Sequence, residues 1–321
     1  MKLKQWIQIF PILSGIMWGS AGIFVRKLSE LGLNSVSIVE TRIIVAIIII
    51  IAGLLCLDKK LLKIKLKDLW IFICAGIFSM LGLNLCYNFA INELTLSLSA
   101  VLLSLAPIFV LILASILFKE KLTLQKTVCA ILALIGCILS SGVLEEVGAM
   151  KWTTIGIIIG TLGAFFYGTY SIFSKITILK GYHSFTVTIY SLMAVGIALL
   201  PFTDWLKVWE IIQIDPAPMS GFLLLHSLLT SVLPYICFTV ALNYVEAGKV
   251  AILASGEPIA AMLFGIFFYQ EIPTILSLIG LFTVLFALGL LTIPFTKLKK
   301  IFNKTNLQIY FSYEIYICFF I

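Results

Sequence analysis

Glu257-Pro258 stands near the middle of an apolar run, 248–269. At about 1.5 Å per helical residue, that is about 14 Å from either face of a bilayer. A carboxylate at such depth costs at least about 2.5 kcal/mol on insertion scales, so it faces a cavity or a partner. Two chemistries fit: a group that binds solute or carries a proton, or a structural carboxyl that is protonated or paired with a lysine. Pro258 cannot donate to the Ala254 carbonyl, and Pro107 withholds the same bond from Leu103. Such prolines act as packing kinks or as hinges beside a cavity. Asn84 and Asn88 are four apart and share a helix face, as do Tyr235 and Thr239. These four line a polar cavity or hydrogen-bond between helices. Trp18 and Tyr167, each beside a glycine, form an aromatic wall or make plain lipid and core contacts. The candidate substrate-binding residues are therefore Trp18, Asn84, Asn88, Tyr167, Tyr235, Thr239 and Glu257, with Pro107 and Pro258 at a hinge or cavity.

The remaining reactive side chains form no catalytic pattern. His183 and His226 are the only histidines and lie far apart, and no triad, phosphate loop or zinc signature occurs. His226, nearer the outer end of its run, is expected at interfacial water. The seven cysteines are an odd number without CxxC spacing, which argues against a disulfide frame or a metal site. Glu40 and Arg42 are two apart, on different helix faces. Arg42 snorkels outward, braces helices against a fixed partner or contacts a ligand, bracing being favoured over ligand contact. Glu120 and Glu271 open turns and are expected to cap the helices that follow them.

These residues sit in a chain that is 61% hydrophobic and 12% charged, against about 25% charged in ordinary soluble domains. Ten runs are long enough to span: 6–25, 35–57, 69–92, 97–118, 123–143, 153–174, 184–203, 219–243, 248–269 and 273–294. They must be helices, because lipid satisfies no backbone group. The second five rewrite the first. Shifted by 149, Trp18-Gly19-Ser20 meets Tyr167-Gly168-Thr169, and Arg26 meets Lys175. Shifted by 151, Pro107 meets Pro258, Glu120 meets Glu271, and Thr123 meets Thr274. An odd number of spans per copy inverts one copy against the other, the plan of many secondary carriers. The units are 1–147, 148–296 and a basic, aromatic tail, 297–321.

With the N-terminus inside, 17 of the 22 lysines and arginines fall in cytoplasmic segments and only Arg26, Lys27, Lys151 and Lys207 in outer loops. That distribution puts both termini in the cytoplasm. It also accounts for the net charge of +7 without nucleic acid. The first apolar run lacks a small-x-small cleavage site and reads as a retained helix rather than a signal. The lysine-rich loop 58–68 is expected along anionic headgroups, and 204–218 as the longest outer loop.

Each half closes on proline, about a dozen apolar residues, glutamate, then threonine three further on: Pro107 to Glu120 and Thr123, and Glu257-Pro258 to Glu271 and Thr274. With Trp18-Gly19 and Arg42, this resembles the EamA family of the drug/metabolite transporter superfamily over residues 6–294. The resemblance implies an all-α membrane protein of ten helices in two inverted five-helix repeats, usually an exporter of amino acids or other small metabolites. Cys129 stands where the second copy has Gly280, and Ala287 where the first has Gly136. Both departures bear on helix packing more than on chemistry. The expectation is a carrier of the plasma membrane, not an enzyme, working by alternating access with proton coupling through Glu257. An uncoupled facilitator and a non-transport scaffold are the alternatives. Its partners are a small-molecule substrate, the lipid bilayer and, as a homodimer, a second copy; no cofactor, metal or nucleic acid is called for.

Overall fold

Signals that start and stop helices recur 151 residues apart, and the structure responds to both copies in the same way. The computed structural model describes residues 6–57, 59–94, 96–145, 153–270 and 272–293. Nine helices among them are long and apolar enough to cross a membrane. They are α1 Ile9–Glu30, α2 Ser35–Cys56, α3 Leu66–Glu93 and α4 Leu98–Phe118, then α6 Thr154–Leu179, α7 Ser184–Phe202, α8 Pro216–Tyr244, α9 Ala247–Tyr269 and α10 Ile275–Thr292. The shorter apolar helix α5, Leu124–Ser140, packs along α10 and completes ten. The chain is thus an all-α membrane protein, built as two inverted five-helix repeats. Residues 1–5, 58, 95, 146–152, 271 and 294–321 lie outside the described residues, and with them Lys2, Lys4, Lys151, Glu271 and the tail.

Thr123 and Thr274 are both N-caps. Their hydroxyls accept from the amides of Lys126 at 3.3 Å and Ser277 at 3.1 Å. Lys119 and Gln270 end α4 and α9 in the left-handed region, at φ 55° and 54°. α4 and α9 are broken in the same way: at α4, a segment that starts two residues before it, Leu96–Leu103, meets Ala106–Phe118 at Ser104-Leu105. Inside α9, Ala247–Ala254 and Glu257–Tyr269 meet at Ser255-Gly256. Pro107 and Pro258 lie in the first turn of the second segment, where a helix start leaves amides unpaired anyway. α3 and α8 widen into π-helical turns at Cys74–Leu81 and Leu228–Val232, again matching positions.

The repeats interlock through glycines at these breaks. A β-carbon on Gly19 would lie 2.6 Å from Ala260 Cβ and 2.7 Å from the Glu257 carbonyl oxygen. One on Gly168 would lie 3.3 Å from the Ala106 carbonyl oxygen and 3.4 Å from Phe109 Cβ. Ala106 and Phe109 are the repeat mates of Glu257 and Ala260, so α1 crosses α9 as α6 crosses α4. α5 and α10 meet where Gly136 and Gly280 let their backbones touch. Cys129 and Ala287 are both fully buried, in keeping with packing roles.

Three expectations change. The 204–218 segment, read as a loop, is largely helical: Asp204 caps Trp205–Ile214 by accepting from the Lys207 amide at 3.0 Å. Val208 and Ile211 of that helix pack with Leu28, Leu33, Ile38 and Leu223. Glu120 caps a helix in the other repeat rather than the next one. It accepts from the amides of Ala247 at 2.7 Å and Gly248 at 3.2 Å, leaving Thr123 to cap α5. His226 is fully buried, stacked on Phe24 at 4.9 Å, and away from interfacial water. The 59–68 segment is tied to the bundle at its end, where buried Asp68 bonds Lys180 at 2.5 Å and accepts from Tyr182 at 2.8 Å, contacts that leave the reading of its lysines unchanged. Lys63, Lys65 and Lys67 remain exposed.

Candidate functional site

The break in α9 makes Glu257 the first residue of a new helical segment at mid-span. A carboxylate there sits at the positive end of the helix dipole, which favours negative charge. Above it, the Tyr167 hydroxyl of α6 donates to Glu257 Oε2 at 3.1 Å. Trp18 of α1 meets Tyr167 edge-on at 6.3 Å and Tyr235 of α8 edge-on at 5.2 Å. Phe238 tilts against Trp18 at 5.5 Å, and Tyr170 meets Tyr235 edge-on at 5.2 Å. Trp18, Tyr167, Tyr235 and Glu257 thus form one cluster, drawn from four helices. Trp18 is buried, whereas Tyr167, Tyr235 and Glu257 keep partial exposure.

The other candidates are placed differently. Asn84 donates to the Met80 carbonyl at 2.7 Å, within its own helix. The main-chain carbonyl of Asn88 accepts from Asn92 at 2.9 Å. Thr239 is fully buried, donates to the Tyr235 carbonyl at 2.7 Å and meets the Thr188 hydroxyl at 3.3 Å. No hydrogen bond joins Asn84 or Asn88 to Tyr235 or Thr239 among the described residues. On α3, Tyr87 interacts electrostatically with Glu257. An aromatic ring in an apolar run reads as packing. Shifted by 151, however, Tyr87 falls on Phe238, a member of the cluster. That signal was available in the sequence.

Arg42 of α2 also lies within electrostatic range of Glu257 and Tyr235. Glu40 is fully buried against Gly196 of α7, with neither carboxylate oxygen hydrogen-bonded. At the far end of α4, Glu120 joins the repeats as described, and Lys126 forms an ion pair with Glu246. Lys175 donates to the carbonyls of Leu242 and Val245, which end α8. Glu120, Lys175, Val245 and Glu246 border a cavity of about 380 Å³ also lined by Leu117, Phe118, Asn243 and Tyr244. Among the described residues, no three His, Cys, Asp or Glu side chains gather as metal ligands.

Ten apolar helices in inverted repeats, broken at matching mid-span positions around a carboxylate, define a membrane transport protein by class. The chain belongs to the EamA-like transporter family, whose model matches residues 5–142 and 154–293. It is 26% identical over 283 residues to an uncharacterized transporter of Archaeoglobus fulgidus, covering 87% of this chain and 95% of that one. An uncharacterized transporter of Haemophilus influenzae is 24% identical, with 79% and 81% covered. Solute carrier family 35 member G1 of mouse is 25% identical, with 83% and 72% covered. A crystal structure of a protein only 14% identical superposes with a TM-score of 0.70 over 90% of this chain and 96% of that one, a likeness of fold.

Proposed function

We propose that the chain is a secondary carrier exporting a small metabolite, an amino acid or related compound, across the plasma membrane by alternating access. Glu257 is the group through which export couples to protons. The observation that carries this reading is the Tyr167–Glu257 hydrogen bond at the break of α9, walled by Trp18 and Tyr235. Irregular backbone and a carboxylate at mid-span are tolerated where protein or a cavity, not lipid, surrounds them. The equivalent break in α4 supplies a second joint, so rocking one repeat, 1–147, against the other, 148–296, opens the chamber to either side in turn. Both termini lie in the cytoplasm. A proton and a cationic group of the substrate compete for one carboxylate, and that competition is a sufficient coupling element.

An uncoupled facilitator is the second reading, favoured by the bond from Tyr167, which suits a carboxylate that stays charged and only binds. Counterflow into proteoliposomes with a panel of amino acids, nucleosides and amines tests carriage. Saturable movement of one class supports it, and no movement across the panel counts against it.

A further inference from the structure

α2 and α7 are repeat mates, and they cross where the two repeats meet. A β-carbon on Gly196 of α7 would lie 3.1 Å from Ile47 Cδ1, 3.3 Å from Ile43 Cγ2 and 3.8 Å from Glu40 Oε1, all on α2. Glu40, Ile43 and Ile47 share one helix face. Their mates, 149 residues on, are Ile189, Leu192 and Gly196. Ile47 and Gly196 are thus mates that face each other, which puts this crossing on the axis relating the repeats. Such a crossing has two equivalent ends. One is built from Ile189 and Ile47, both in the apolar core. The other has Glu40 and Gly196 in their places. The isoleucine of one helix becomes a carboxyl, and that of the other loses its side chain, which makes the room. Packing does not call for the carboxyl, because the other end does without one.

Glu40 is fully buried, and neither of its oxygens has a hydrogen-bond partner among the described residues. The titratable groups of the elements packed against it are placed elsewhere. Arg42 is on another face of the same helix. On α7 the Tyr190 hydroxyl donates to the Leu62 carbonyl at 2.7 Å, and on α8 His226 stacks on Phe24 at 4.9 Å. Arg26 of α1 lies over the Tyr269 ring, Lys27 pairs with Glu30, and Lys207 pairs with Glu210. Asp204 caps its own helix, and Lys59 is exposed. No charged group among the described residues acts on the Glu40 carboxyl. An unpaired carboxylate in such a place is costly. A metal cation would need several further oxygens, whereas the wall here is Ile43, Ile47 and Gly196. A proton neutralises the group by itself.

We infer that Glu40 is a proton-binding site of the α2–α7 crossing, separate from Glu257, and that its proton holds the Ser35 end of this crossing closed. Closed, the carboxyl is neutral and dry. When this end parts and water enters, the O–H bond breaks, the proton passes to water, and the carboxylate left behind is hydrated. The way in is short: Glu40 lies five residues from the start of α2 at Ser35, about 8 Å along the helix. One turn nearer that end, the Ser37 hydroxyl accepts from the Asp204 amide at 2.9 Å, where the Trp205–Ile214 helix begins. The closed crossing binds the proton better than the open one, so closure is favoured in acid and weakens as pH rises. In a carrier, opening of this end then depends on the proton concentration on its own side. That dependence rests on the carrier reading above; the proton site itself does not.

The test uses the purified full-length protein in lipid nanodiscs, with pH raised from mildly acidic to mildly alkaline. Infrared difference spectra read the C=O stretch of protonated carboxyls. Hydrogen–deuterium exchange, corrected for intrinsic rates, reads the protection of 37–42 and of the Asp204 amide. In the wild type a protonated-carboxyl band is lost as pH rises, and protection falls by about tenfold or more. Glu40→Gln lacks that band and stays protected throughout. Glu40→Ile copies the other end of the crossing, behaves as Glu40→Gln does, and decides the matter if that variant does not fold. Glu257→Gln, which removes the mid-span carboxyl of α9, keeps both signals. A band and a pH-dependent loss of protection that survive in the Glu40 variants would overturn the site, as would their absence from the wild type. Neither readout needs transport, so failure of the carrier reading would leave the result standing.

Discussion

The Tyr167 hydroxyl and the Glu257 carboxylate meet at 3.1 Å where α6 passes the break in α9. This bond fixes the carboxylate at mid-span with one oxygen engaged. Tyr167→Phe removes the donor and keeps the ring that Trp18 packs against. The variant is expected to stay folded and to raise substrate half-saturation by about tenfold, the scale of a hydrogen bond to a charged group. Transport rate against substrate concentration in proteoliposomes checks this. Wild-type half-saturation would mean that the bond is only structural.

The two glycine crossings predict an order of stabilities. Added β-carbons meet backbone and Ala260 at 2.6–2.8 Å on Gly19 but meet neighbours at 3.2–3.4 Å on Gly168. Gly19→Ala is therefore expected to cost about 1–3 kcal/mol, as overpacking does, and Gly168→Ala less. Apparent melting temperatures in detergent rank the two. Equal losses, or the reverse order, would contradict the crossing geometry.

The cap that Glu120 places on α9 predicts local loosening. Glu120→Ala leaves the amides of Ala247 and Gly248 without the carboxylate, a loss of about 0.5–2 kcal/mol. Hydrogen–deuterium exchange should accelerate over 247–250 and not over α5, which Thr123 caps. Faster exchange in α5 instead would restore the cap to the following helix.

How much of this was legible in sequence depended on whether a signal was local or relational. Proline, threonine and glycine at repeat-matched positions marked the breaks, caps and crossings, because those residues act on their own backbone. Glu257, Trp18 and Tyr167 stood out as a mid-span carboxylate and a repeat-matched aromatic pair, and Tyr235 by its spacing from Thr239; the structure brings the four together. The Asn84 and Asn88 spacing gave a shared face, but spacing cannot say what lies opposite, and Asn84 bonds its own helix. Glu120 was misassigned for the same reason: its position before Leu124 is visible, whereas its approach to Ala247 exists only in three dimensions. The Trp205–Ile214 helix was hidden by the aspartates and prolines that bound it, which read as a loop.

Topology gives a separate test. In a cysteine-free background, single cysteines at Lys63 and Asp215 are expected to react with a membrane-impermeant thiol reagent from opposite sides, Lys63 from the cytoplasm. Both residues are exposed, so access does not limit labelling. Reaction of both from one side would break the ten-span arrangement.

Glu257→Gln keeps the size and the hydrogen-bonding capacity of the side chain but cannot exchange a proton. Transport against pH in proteoliposomes, compared between the wild type and this variant, bears most directly on the carrier mechanism. The wild type is expected to move substrate uphill when a proton gradient is imposed. Glu257→Gln should remain folded, lose gradient-driven accumulation and retain downhill exchange. A Gln variant that still accumulates substrate with the wild-type pH dependence would contradict the assignment of Glu257.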